Sequence, residues 1–172
     1  MKINSHNEWD KLKEVIVGRA DGISATLEWL NPNILDEITI NKARVLAQEA
    51  SPQWYVDEVN EDLQNLSDLL KSFHIKVHRP TSYDISKFYS SPYWSSTGNN
   101  IYNARDLHLV IGNTVIESPS HNISRFYEAT AMYDIWYEYF EEGFRWISGP
   151  KPKIHKTAVS YTHLTLPTKR IV

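Results

Sequence analysis

Arg105 and Asp106 are the residues of this chain best placed to do chemistry. They stand where a long aromatic segment, residues 81–102, gives way to two β-rich runs, and scaffolds commonly present side chains to a cavity from such junctions. An aspartate there can hold a cationic group; an ordinary loop-end ion pair or cap is the other reading of the same residue. Histidines 6, 74, 78, 108, 121 and 155 are scattered, and none has the His-x-x-x-His or His-Glu-x-x-His spacing that brings two imidazoles to one metal. His108 falls inside a predicted strand, where a core or sheet-surface role is expected. The six glycines (18, 22, 98, 112, 143 and 149) stand apart, so they build no phosphate loop, and there is no Gly-x-Ser-x-Gly elbow. The chain has no cysteine, which removes disulfides, thiolate zinc sites and any cysteine nucleophile on this stretch. No cofactor is expected.

The elements that must position Asp106 follow from composition and periodicity. A chain of 172 residues, 41% hydrophobic and 23% charged with a formal net charge of -3, fits one soluble domain with a real core. Eighteen Lys and Arg are interspersed with 21 Asp and Glu and form no basic stripe, which argues against a nucleic-acid partner. No run approaches the roughly 20 apolar residues of a membrane span, and residues 1–7 lack an apolar leader core, so no membrane partner and a cytoplasmic location are expected.

Val15, Ile16 and Val17, stopped by Gly18, predict a short buried strand. Residues 21–52 give weak signals, with a turn at Asn31-Pro32-Asn33 and a short helix suggested at 41–50. Val56, Val59, Leu63, Leu66, Leu70 and Phe73 recur in steps of three and four and predict an amphipathic helix, with Ser51 as its cap and Pro52 at its first position. Ile75 to His78 reads as a strand ended by Pro80. Residues 81–102 show neither period, but Tyr83, Phe88, Tyr89, Tyr93 and Trp94 favour a packed loop.

Two β-rich runs then flank Gly112-Asn113 and predict a hairpin. Phe126, Ala129, Thr130, Tyr133, Trp136, Tyr137 and Phe140 predict a second helix, its aromatic stripe in the core, Glu138, Glu141 and Glu142 in solvent and Gly143 closing it. Phe144 to Ile147 is a last strand. Hairpin, helix and strand make a ββαβ unit, and residues 14–78 end in the same helix-strand order, so a repeated α/β module is expected.

Residues 159–172, VSYTHLTLPTKRIV, stand apart. Their first ten resemble one reading frame of the transposase mosaic-end adapter used in sequencing libraries; a genuine edge strand is the alternative, because residues 162–166 alternate polar and apolar. Residues 1–158 are expected to be the natural part and 159–172 a translated adapter, which leaves 16 basic against 21 acidic residues before it.

NARDLHLVIGNTVIESP (103–119), RFYEA (125–129), YEYFEEGFRWISGPKP (137–152) and EWDKLKEVIVGRADG (8–22) together resemble the amidinotransferases of the glycine and inosamine-phosphate type. The resemblance implies a partial pentein, an α/β propeller of pseudo-fivefold ββαβ modules that is truncated here. It implies transfer of the amidino group of arginine to a small amine acceptor such as glycine, by a ping-pong route through an amidino-cysteine and without a metal. Carboxylates suit the planar guanidinium in such chemistry because they pair with it through two hydrogen bonds.

Asp106 matches the family's Arg-Asp aspartate that grips the donor guanidinium, and Arg105, beside it, is expected to orient it. Arg125 and Glu128 are expected to be structural, as an ion pair near the helix start. The family's cysteine, histidine and acidic partner lie in later modules, so the resemblance implies an amino-terminal fragment of less than half an enzyme, inactive and prone to aggregate alone. A homo-oligomeric full-length parent stays open. Two other functions fit the same residues: an arginine deiminase-like guanidine hydrolase, and a non-catalytic α/β interaction domain.

Overall fold

The computed structural model describes residues 4–7, 9–21, 38, 51–82, 84, 87–98, 100–118, 120 and 123–149. The expected turn at 31–33, the helix at 41–50, the aromatic Tyr83, His121, His155 and the boundary at 158 with its adapter-like tail lie outside them.

Strand β1, Glu14–Ile16, pairs in parallel with β2, Lys76–His78. Helix α1, Gln53–Ser72, lies between them in the chain and supplies Val56 and Leu63 to a small core with Val17 and Ala20; Val15, Val59, Leu70 and Val77 pack around it. Leu66 and Phe73, expected on the buried stripe, are exposed. At 100° per residue they sit about 80° and about 100° round the helix from Val56, beyond the reach of so narrow a sheet. Ser67 takes the buried place instead. Its hydroxyl donates to the Leu63 carbonyl (2.7 Å) and accepts from Arg79 (3.0 Å), which removes the cost of burying a polar group. Pro52, in extended backbone, holds the cap position with no side-chain cap, so Ser51 does not serve there; the Pro52 carbonyl accepts from the amides of Tyr55 and Val56.

Residues 81–102 are more regular than expected. They contain an antiparallel pair, β3 Phe88–Ser90 and β4 Ser95–Thr97. Trp94 is buried, whereas Phe88 and Tyr93 are exposed, so only part of the aromatic run acts as core.

The hairpin around Gly112 is present. β5, His108–Ile111, runs antiparallel to β6, Thr114–Glu117, and Gly112 takes a φ of 54° at the first central position of the turn. β7, Arg145–Ser148, lies parallel to β6, and helix α2, Tyr133–Glu141, makes the crossing. Order β5-β6-β7 is the expected ββαβ unit, and β1-α1-β2 repeats its parallel half.

The second helix is shorter than predicted. Residues Ile123–Arg125 and Glu128–Met132 form 3-10 turns, and α-geometry begins only at Tyr133. The Thr130 hydroxyl donates to the Tyr127 carbonyl (2.6 Å), a local bond that competes with regular helix. The core under the sheet consists of Ile101, Val115, Ala131, Met132, Ile135, Trp136, Tyr139 and Phe144. Tyr137 and Phe140, expected inside, are exposed, because the face of α2 that meets the sheet carries Ile135, Trp136 and Tyr139. Gly143 closes the helix at positive φ as expected.

Two of the contacts that tie the halves together bear on stability. The first is a close backbone approach: Arg19 and Ile101 form an isolated β-bridge, and a Cβ on Gly18 would lie 2.0 Å from the Tyr102 carbonyl oxygen. Backbone cannot yield as a flexible side chain can. Gly18→Ala is therefore expected to lower stability by about 2 kcal/mol in chemical denaturation, the scale of a forced overpacking; an unchanged midpoint would contradict the packing.

The second is polar. Tyr139 donates its hydroxyl to Glu14 Oε2, His78 Nε2 lies 3.0 Å from that oxygen and 2.8 Å from the Tyr139 hydroxyl, and Lys76 Nζ lies 3.6 Å from it. β1, β2 and α2 thus meet at one carboxylate. Burial works against its charge, but the hydrogen bonds of Tyr139 and His78 and the charge of Lys76 outweigh that and hold Glu14 below its ordinary 4.5. A carboxyl whose folded pKa is depressed contributes stability above its unfolded pKa and loses it as pH falls through the folded one. Melts between neutral pH and pH 3 are therefore expected to fall less steeply in Glu14→Gln than in the unsubstituted chain; parallel acid limbs would contradict the contact.

Candidate functional site

Asp106 lies in a 3-10 turn, Ala104–Leu107, that leads directly into β5. Ile101 and Leu107 are buried on either side of it, so the turn is pinned at both ends while Asp106 stays half exposed, its side chain 46% accessible. The Asp106 amide donates to the Asn103 carbonyl (3.2 Å), which closes the turn.

The partner of Asp106 is Arg125. Arg125 Nη1 donates to Asp106 Oδ2 at 2.8 Å, while Nε and Nη2 donate to Glu128 Oε2 and Oε1 at 2.5 and 3.0 Å. Nη2 also reaches the Asn103 carbonyl at 3.4 Å. One planar guanidinium therefore spans two carboxylates, with its side-on fork committed to Glu128. Arg125 ends one 3-10 turn and Glu128 begins the next, and their spacing of three residues lets the side chains meet.

Exposure rises along the chain of contacts, from 0% at the Glu128 side chain through 17% at Arg125 to 46% at Asp106. Burial disfavours the Arg125 cation, but Glu128 and then Asp106 outweigh it, and the guanidinium pKa is pushed up. Burial pushes the Glu128 carboxyl up against the pull of Arg125. Two carboxylates against one guanidinium leave one surplus negative charge, and its exposed end is Asp106. Among the described residues nothing donates to the other oxygen, Oδ1.

The segment 123–127 is held from above by the aromatic hairpin. Trp94 meets Phe126 edge-on at 4.9 Å and Tyr127 at 6.0 Å, and the Tyr127 hydroxyl donates to the Ser90 carbonyl (2.8 Å). The long aromatic segment thus serves the site by fixing the turn that carries Arg125.

Arg105, expected to orient Asp106, is exposed, and the guanidinium on Asp106 is that of Arg125. The expected Arg125–Glu128 ion pair is present, with the added reach to Asp106. Glu117 was not foreseen. It is 1% exposed, opposite His108 in the β5-β6 register, and accepts from the Tyr133 hydroxyl at 3.3 and 3.4 Å. Burial and then the Glu117 charge push the Tyr133 pKa up to about 12. The signal was parity: Glu117 shares a strand face with Val115, which is buried. No group of three or more metal-ligating side chains occurs among the described residues, and none of their helices is long and apolar enough to cross a membrane.

No family model matches the chain. It is 37% identical over 155 residues to an inosamine-phosphate amidinotransferase of Streptomyces glaucescens, covering 88% of this chain and 44% of that protein. An L-arginine:L-lysine amidinotransferase of Pseudomonas savastanoi pv. phaseolicola is 36% identical, with 87% of this chain and 42% of that one covered. The solved structure of an inosamine-phosphate amidinotransferase from Streptomyces griseus superimposes with a TM-score of 0.78 at 33% identity, over 90% of this chain and 44% of the other. Sequence and fold both relate the chain to the amidinotransferases. It spans less than half the length of the relatives it matches.

Proposed function

We propose that this chain is the amino-terminal part of an amidinotransferase, a partial pentein that moves the amidino group of arginine to a small amine, and that Asp106 holds the donor guanidinium. The observation that carries the reading is the Asp106 carboxylate: half exposed, fixed through Oδ2, open at Oδ1 and backed by one surplus negative charge. A flat cation can donate to the open Oδ1 in the carboxylate plane and share the second lone pair of Oδ2 with Arg125.

In the transfer a thiolate adds to the amidino carbon, the carbon–nitrogen bond to ornithine breaks as a proton passes to the departing amine, and an acceptor amine then displaces the thiolate. This chain holds no cysteine, so the thiolate is assigned to residues beyond it. The chain's own share is to bind and orient the guanidinium so that its carbon faces the attacking sulfur. A cytoplasmic location goes with the proposal.

The full-length protein, incubated with L-arginine and a panel of small primary amines, should release ornithine together with an equal amount of a guanidino product, and residues 1–172 alone should release none. Citrulline with ammonia would replace transfer by hydrolysis, and no turnover of arginine would overturn the reading.

A further inference from the structure

The contacts around Arg125 exceed what an ordinary ion pair needs. Had its role been only to neutralise the buried Glu128, the bidentate fork through Nε and Nη2 would satisfy it. The third nitrogen is instead spent 19 residues away along the chain, on the oxygen of a half-exposed aspartate. The order of burial gives the arrangement a direction: Glu128 is fixed by its surroundings, Arg125 is fixed by Glu128, and Asp106 is fixed by Arg125. An exposed aspartate otherwise turns about its two side-chain torsions, and pairing with a flat guanidinium requires one orientation of the carboxylate plane.

We propose that Arg125, anchored by Glu128, is a positioning residue that sets the plane of the Asp106 carboxylate and leaves Oδ1 free for a bound guanidinium. The inference rests on the reading of Asp106 as the guanidinium-holding group. It makes Arg125 a determinant of specificity: an oriented carboxylate favours a planar fork over an ammonium, which is a point charge and tolerates any orientation.

The test uses the full-length protein and two probes, L-arginine and L-ornithine, titrated calorimetrically. The double variant Arg125→Met/Glu128→Leu removes the buried charges together, a change that protein interiors commonly tolerate. It is expected to bind arginine about tenfold or more weakly, the worth of one charge-assisted hydrogen bond, with ornithine affinity unchanged. Asp106→Asn, measured alongside, separates this inference from the reading beneath it.

Loss of arginine affinity in both variants with ornithine unaffected in the double variant supports the positioning role. Loss in Asp106→Asn alone overturns it and leaves the Asp106 reading in place. Arginine binding undiminished in Asp106→Asn, or absent from the unsubstituted protein, overturns both. Equal weakening of arginine and ornithine in the double variant marks a merely structural pair and overturns the positioning role. Should the double variant fail to fold, Arg125→Lys, which keeps the charge beside Glu128 but cannot span both carboxylates, is read by the same criteria.

Discussion

Asp106→Asn in the full-length protein is expected to weaken L-arginine binding by about a hundredfold, because truncating the charge on one side of a hydrogen-bonded pair costs several kcal/mol. Stability should hardly change. Asp106 is 46% exposed and its bond to Arg125 meets solvent on one side, so screening limits its structural worth to about 1 kcal/mol or less. The two readouts are therefore expected to separate: a calorimetric titration moves and a denaturation midpoint does not. If Asp106 were an ordinary loop-end ion pair, the midpoint would move slightly and arginine affinity would stay as it was.

The second large effect concerns stability. Glu128→Leu leaves Arg125, 17% exposed, without the carboxylate that takes its fork, and the half-exposed Asp106 is the one carboxylate still paired with it, beside the long contact to the Asn103 carbonyl. An uncompensated buried charge of this kind costs about 3–5 kcal/mol, whereas removing both charges in Arg125→Met/Glu128→Leu should recover most of the loss. Chemical denaturation of the unsubstituted chain, Glu128→Leu, Arg125→Met and the double variant measures the difference as a coupling energy. A single variant as stable as the unsubstituted chain would mean that the Arg125–Glu128 contact is not a buried charge pair.

Much of this architecture was legible in the residues because periodicity reports which face is buried. The ββαβ unit followed from two β-rich runs around Gly112 and an apolar helix behind them, and β1 and β2 followed from short β-branched runs. Failures fell where a local hydrogen bond or a register decided the outcome. Thr130 bonds its own turn and Arg125 pairs with Glu128, and Ile123–Arg125 and Glu128–Met132 are 3-10 turns although the apolar spacing is helical. Ser67 is buried because Arg79 and the Leu63 carbonyl satisfy its hydroxyl, which no hydrophobic pattern marks.

The site was half legible. The Arg-Asp dipeptide at a loop-to-strand junction pointed to Asp106, and the resemblance gave that aspartate a ligand. Its real neighbour could not be read from the dipeptide, because the guanidinium beside Asp106 arrives from Arg125 on a different turn, carried there by the packing of Trp94 and Tyr127. Adjacent residues suggested Arg105, while three-dimensional contact selected Arg125.

The most direct measurement of the central claim is a crystal structure of the full-length protein soaked with L-arginine. The guanidinium should lie in the plane of the Asp106 carboxylate, within hydrogen-bond distance of Oδ1, with Arg125 still on Oδ2. Arginine bound elsewhere, with Asp106 facing only water and Arg125, would contradict it.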